Sequence, residues 1–227
     1  MVLRSYFNGF LHLLFPRLCM ACDACLYDKE EVLCMHCLFH LPFTDFHLDR
    51  DNETARQLWG KLTFETAFSM LHLSKKSRVE TLLHKLKYKN QPEIGIYLGA
   101  LYAKRIQNLV NDIDLIIPIP IHKSKLRKRG YNQAAQFGLG LSRELNIPLE
   151  QEALVRDVIS VSQIQKSRTE RYENVLGAFS LKSKIVVQNK HILLVDDVLT
   201  TGATICEAGK ILIDNGAKIT ICTIARA

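Results

Sequence analysis

The stretch HILLVDDVLTTGAT, residues 191–204, decides how the rest of this chain is read. Ile192 to Val195 is an apolar run of strand length. Two carboxylates, Asp196 and Asp197, sit where that run ends. Thr200, Thr201, Gly202, Ala203 and Thr204 then open a helical pattern in which Ile205, Ala208 and Leu212 share a face, and Asn215-Gly216 is its stop signal. A buried strand, a small-residue loop and a helix start together make an anion site. The helix N-terminus leaves backbone N–H groups unpaired at the positive end of the dipole. The threonine hydroxyls add donors, and Gly202 lets the backbone approach an anion closely.

Other phosphate motifs do not fit. A Walker loop needs a lysine before its Ser/Thr, and a dinucleotide fingerprint needs GxGxxG; both are missing. LLVDD could open a response-regulator domain, but only some thirty residues follow, too few for its alternating strands and helices. The plainest alternative is a buried strand whose acidic end caps the next helix. What the stretch resembles is the ribose-5-phosphate loop of type I phosphoribosyltransferases, which bind phosphoribosyl diphosphate (PRPP). That resemblance implies that Asp196 and Asp197 hold the ribose hydroxyls and that Thr200, Thr201, Gly202, Ala203 and Thr204 cradle the 5′-phosphate.

The chain has 227 residues, 48% of them hydrophobic, enough for one full α/β domain with a small appendage. A net charge of +7 suits anionic partners, phosphates or nucleic acid, without choosing between them. Five of the seven cysteines precede residue 40. An odd count in CxxC spacings points to metal ligation in a reducing compartment, not to disulfides. CMAC (19–22) and CMHC (34–37) are two knuckles whose thiolates, Cys19, Cys22, Cys34 and Cys37, close a tetrahedral site suited to structural zinc. Cys25 makes a second CxxC with Cys22, and His36 and His40 are substitute ligands, so the register is open. The apolar stretch 6–15 is too short to span a bilayer and no small-residue cleavage site follows it. It reads as a short amphipathic helix, and the expected location is cytoplasmic.

The expected organisation is a zinc-ribbon module over 1–45, a polar linker over 46–61 and an α/β domain over 62–227. Within the last, strands are expected near 64–73, 114–117, 153–158 and 217–225, with a minor one at 185–187. Helices are expected over 78–88, from Pro92 onward, and over 132–145. The strand at 114–117 runs into PIPIH and then into Lys123, Lys125, Arg127, Lys128 and Arg129, five cations within seven residues. Such a run is either a solvated basic loop or a polyanion site. Open α/β sheets bind ligands at the carboxyl ends of their strands, which favours the second. Residues 160–173 are polar, with Arg168 and Arg171, and read as a loop that could close over a phosphate.

Further signatures follow in order: paired knuckles, KLKY (85–88), PIPIH (118–122), RKRGYNQ (127–133), RYENVLGAF (171–179) and the loop at 191–204. Together they resemble the ComF family of competence-associated proteins, over nearly the whole chain. The resemblance implies a type I phosphoribosyltransferase fold, a parallel sheet flanked by helices, behind an N-terminal zinc ribbon. It implies a pyrophosphate loop at 118–123 and a flexible hood at 160–171. Pro120, His122, Lys123, Arg127, Arg129, Arg168 and Arg171 are then the candidate anion contacts. Magnesium would accompany PRPP, and single-stranded DNA and the proteins of the competence machinery are the implied partners. Purine-salvage members of the wider superfamily carry an Asp just before the Thr-Gly of the phosphate loop, as general base. Here Thr200 stands at that position and cannot accept a ring proton near neutral pH. The expected function is therefore PRPP binding linked to DNA handling, with PRPP-dependent transfer in nucleotide salvage as the alternative.

Overall fold

The computed structural model describes residues 16–156 and 179–227. The loop expected at 160–173, with Arg168 and Arg171, and the N-terminal stretch 6–15 lie outside the described residues. In chain order the elements are α1 (Met35–Phe39), α2 (Glu53–Leu58), β1 (Ala67–His72), α3 (Arg78–Tyr88), α4 (Glu93–Ile106), β2 (Leu115–Pro118), α5 (Lys123–Arg129), α6 (Gln133–Leu145), β3 (Leu154–Arg156), β4 (Phe179–Leu181), β5 (His191–Leu199), α7 (Ala203–Asp214) and β6 (Lys218–Arg226).

Four strands form a parallel sheet in the order β1-β6-β5-β2, and β3 pairs with β4 antiparallel. Both faces are covered, so the strands read as near-continuous apolar runs. Leu193 and Val195 pack with the α3, α4 and α6 layer. Ile192 and Leu194 pack with α7 and α2. Helices α4 and α6 meet almost backbone to backbone. A Cβ on Gly99 would collide with the Phe137 carbonyl, and one on Gly140 with the Ile96 carbonyl.

The helix ends follow their sequence signals. Ser77 caps α3 by accepting from the Glu80 N–H at 3.1 Å, and Asn132 caps α6 by accepting from Ala134 at 3.1 Å. Three expectations need correction. Residues 46–61 are not a loose linker: they hold a 3-10 turn and α2, with Ala55 and Leu58 fully buried. Asn52 explains this, because it caps α2 and donates to the Ala67 carbonyl of β1 at 2.8 Å. Residues 185–187 form a turn in which Val187 enters the core while Ile185 and Val186 stay at the surface. The basic segment after β2 is helix α5, capped by His122 and ended by Gly130 in the left-handed region.

Candidate functional site

β2 and β5 are neighbours, and Pro118 lies opposite Val195. From β2 the chain passes through α5 and α6 to Leu149, which bridges Ile116 in parallel. From β5 it passes through α7 to β6 on the other side. The two connections diverge, so the crevice beyond the carboxyl ends of β2 and β5 is a topological switch point, where open α/β sheets bind ligands. A cavity of about 510 Å³ occupies it.

Its floor is the acidic pair. Strand β5 does not stop at Val195, as the apolar run suggested, but continues along β6 to Leu199. Asp197 meets Lys87 of α3, Oδ2 to Nζ 3.0 Å, both side chains mostly buried. The Asp196 carboxylate accepts from the Asp197 N–H at 2.8 Å. Burial first, then the neighbouring Asp197 carboxylate, raise the Asp196 pKa to about 7 against the opposing pull of Lys87 and Arg156. Asp196 also borders a small concavity of about 30 Å³ formed by residues 198–205, at the N-terminus of α7. Gly202 there has φ +80°, and a Cβ on it would lie 2.7 Å from Leu58. Gln57 of α2 donates to the Thr200 carbonyl. The segment expected as a linker thus supports the loop from beneath.

The walls carry cations: Lys87, Lys125, Arg129 and Arg156, beside the apolar Ile119, Pro120 and Ile121. Lys87 and Arg156 escaped the sequence reading as site residues. Lys87 sits beside an amphipathic stripe, where a lysine is normally a solvated one, and its only signal was KLKY. Arg156 had none. The basic run separates into two groups. Arg129 turns inward, donating to Gln133 Oε1 at 2.7 Å and lying over the Tyr88 ring at 5.2 Å. Lys123, Arg127 and Lys128 are exposed on α5. His122 is engaged as the cap, with Nδ1 2.7 Å from Ser124 Oγ. Tyr131 packs against the core, and its hydroxyl donates to the Leu86 carbonyl at 2.6 Å. Asn132 donates to the Ile119 carbonyl at 2.9 Å. The motif RGYNQ therefore fixes α5 and α6 against α3 and β2.

The second centre is the cysteine cluster. The ligand atoms of Cys19, Cys22, Cys34 and Cys37 all lie within 4.8 Å of one another. Cys22 and Cys34 sulfurs are 3.8 Å apart, close to the edge of about 3.8 Å expected for a tetrahedron with Zn–S of about 2.3 Å. The Cys34 N–H donates to Cys19 Sγ at 3.3 Å and the Cys37 N–H to Cys34 Sγ at 3.4 Å. Burial opposes ionisation of Cys19, but backbone N–H donors outweigh it and bring its pKa to about 7. This donor set could hold a soft divalent metal. Cys25 is exposed and outside it.

No helix among the described residues is long and apolar enough to cross a membrane. The phosphoribosyl transferase domain model matches residues 86–227. Competence protein F of Haemophilus influenzae is 30% identical over 228 residues, covering 97% of this chain and 95% of that one. DNA utilization protein YhgH of Escherichia coli O157:H7 is 34% identical over 207 residues, covering 88% and 86%. A solved adenine phosphoribosyltransferase aligns with TM-score 0.40 and 14% identity, over 60% of this chain and 72% of that one. The parallel sheet with helices on both faces and the domain match agree with the fold expected from the loop at 191–204, and on the sequence matches the chain belongs to the ComF family of phosphoribosyltransferase-like proteins.

Proposed function

We propose that this protein binds PRPP, or ribose 5-phosphate more weakly, together with magnesium, and that the bound phosphoribosyl group serves the handling of single-stranded DNA. One observation carries the ligand assignment. Asp196 borders both the α7 N-terminal concavity and the cavity walled by four cations, and Asp197 lies beside it on the floor of the larger one. That order matches the ligand: a 5′-phosphate, two ribose hydroxyls, then a diphosphate. Asp196 and Asp197 would accept from the hydroxyls, residues 200–204 would donate to the 5′-phosphate, and Lys87, Lys125, Arg129 and Arg156 would face the diphosphate. Magnesium would neutralise the diphosphate oxygens. In the four-cysteine module we assign a structural zinc, because all four positions are protein thiolates and none is left for substrate.

The relatives' names, competence and DNA utilization, favour DNA handling over salvage. The exposed cations of α5 offer a path for a phosphate backbone beside the cavity. Turnover would form a bond from an acceptor lone pair to ribose C1 as the C1–O bond breaks and diphosphate leaves with its electrons. No carboxylate stands at position 200 to take the acceptor's proton.

The test is a melting scan with millimolar PRPP and magnesium. Ligand at a hundred times its Kd stabilises the native state by about 2.7 kcal/mol. An absent shift in the wild type, or an equal shift in the Asp196→Asn/Asp197→Asn double variant, refutes the assignment. A pyrophosphate-release screen over common nucleobases, beside a salt series of single-strand binding, separates transfer from DNA handling. Robust turnover with salt-insensitive or absent DNA binding would reverse the preference.

A further inference from the structure

Helix α3 has two occupied faces, and they belong to the two centres. On one face it bonds next to the first cysteine knuckle and within the second. Lys85 Nζ is 2.6 Å from the carboxylate of Asp23, which sits at φ 58° between Cys22 and Cys25. Arg78 Nη2 is 3.4 Å from the ring of His36, between Cys34 and Cys37. Residues 78 and 85 are two turns apart, so one stripe of the helix makes both contacts. Beneath them Val79, Leu82 and Leu86 share a core with Cys19 and Cys37, all fully or almost fully buried. The opposite face lines the cavity with Glu80, Leu83, His84, Lys87 and Tyr88. Lys87 is the member that touches the acidic floor. The helix has its own lock on the site side, Tyr131 to the Leu86 carbonyl, next to Lys87.

We propose that Lys87 is a ligand-binding residue of the phosphoribosyl site, and that α3 is the strut through which the metal-loaded cysteine module positions it. The inference rests on the PRPP assignment above. So small a cysteine-rich module has little core of its own, so the metal is what makes it rigid. When the thiolates separate, α3 loses both polar anchors and the packing under Cys19 and Cys37. Its last turn then holds Lys87 less well over Asp197. An ammonium charge on the cavity wall acts over a few ångströms, so a small displacement changes affinity for the diphosphate. Asp23, Arg78 and Lys85 are thus positioning residues for a site they do not touch. Reciprocity follows: if metal tightens PRPP binding, PRPP must tighten metal retention by the same factor.

The experiment uses the full chain in its zinc form. Calorimetric titration with PRPP and magnesium is carried out on wild type, on the Asp23→Ala/Arg78→Ala variant, on Lys87→Met and on the triple variant. All four thiols remain in each, and zinc content is measured alongside. Removing both anchors is expected to weaken PRPP binding by about fivefold with one zinc retained. In the Lys87→Met background the same pair should have little further effect, a non-additivity that general destabilisation would not produce. In the wild type, PRPP should raise zinc retention against a chelator at equilibrium. That increase should vanish in Lys87→Met. Unchanged PRPP affinity in the anchor variant, additive losses, or zinc retention indifferent to PRPP would each overturn the strut. A wild type that takes up no PRPP would refute the ligand assignment itself, and the inference with it.

Discussion

Asp196→Asn is expected to make the ligand-free protein more stable at neutral and alkaline pH while removing its response to PRPP. The native carboxyl has its pKa raised from 3.8 to about 7, first by burial and then by Asp197. At about 1.4 kcal/mol per unit, ionising Asp196 in the native state disfavours folding by at most about 4 kcal/mol. The amide keeps an oxygen to accept the Asp197 N–H. The shift already includes the pull of Lys87 and Arg156, but the amide NH2 must find an acceptor where a carboxylate oxygen stood, so the net gain is smaller, about 2 kcal/mol. For a chain of this size that raises Tm by roughly 4–8 °C. The sign depends on pH. Below pH 3.8 both states hold the proton and the carboxyl has no such penalty. Between 3.8 and 7 the native state keeps a proton that the unfolded chain releases, so wild-type stability falls as pH rises. Above 7 the penalty is complete. Urea melts of wild type and variant across pH 4 to 8 check this: the curves should nearly coincide at the acid end and separate toward pH 8. A variant less stable than wild type at pH 8, or a gain independent of pH, would refute the account of the acidic floor.

Other outcomes are equally direct. Cys34→Ser should lose bound zinc by elemental analysis and aggregate, whereas Cys25→Ser should keep it; zinc loss from Cys25→Ser with Cys19→Ser unaffected would mean a different ligand register. Gly99→Ala should destabilise by about 3 kcal/mol in urea, because its methyl group meets the Phe137 carbonyl and two helix backbones must separate. Charge reversal at Arg127 and Lys128, both exposed on α5, should flatten the salt dependence of single-strand binding without changing the PRPP melting shift. The same reversal leaving the salt slope intact would remove α5 from the DNA path.

Much was legible in the sequence because it depended on near neighbours. The apolar run 192–195, the acidic pair and TTGAT are contiguous, so strand, loop and helix start could be read together. The Asn215-Gly216 stop marks the end of α7, with Gly216 at φ +87° just past the Asn215 cap. The apolar stripe Val79, Leu82, Leu83, Leu86 located α3 over 78–88 to the residue. Two CxxC spacings named four thiols that lie within bonding reach of one ion. The failures share a different cause. Residues 46–61 looked like a linker because their polar composition hid Asn52, whose amide satisfies a carbonyl fifteen positions away. Ile185 and Val186 looked like strand because β propensity says nothing about whether a partner strand exists.

The sequence alone determined the local chemistry: which segments bury, where helices start and stop, which residues can hold phosphate or metal. Hydrophobic period, capping and ligand spacing act over a few residues and are written in order along the chain. Only the tertiary structure decided which of those residues share a site. It brought Lys87 to Asp197 across more than a hundred positions. It turned Arg129 inward and left Arg127 in solvent. It also set Leu58 and Gln57 beneath the phosphate loop. These pairings depend on how parallel strands order themselves and which helix face the core takes, and such distances through space have no counterpart in sequence spacing.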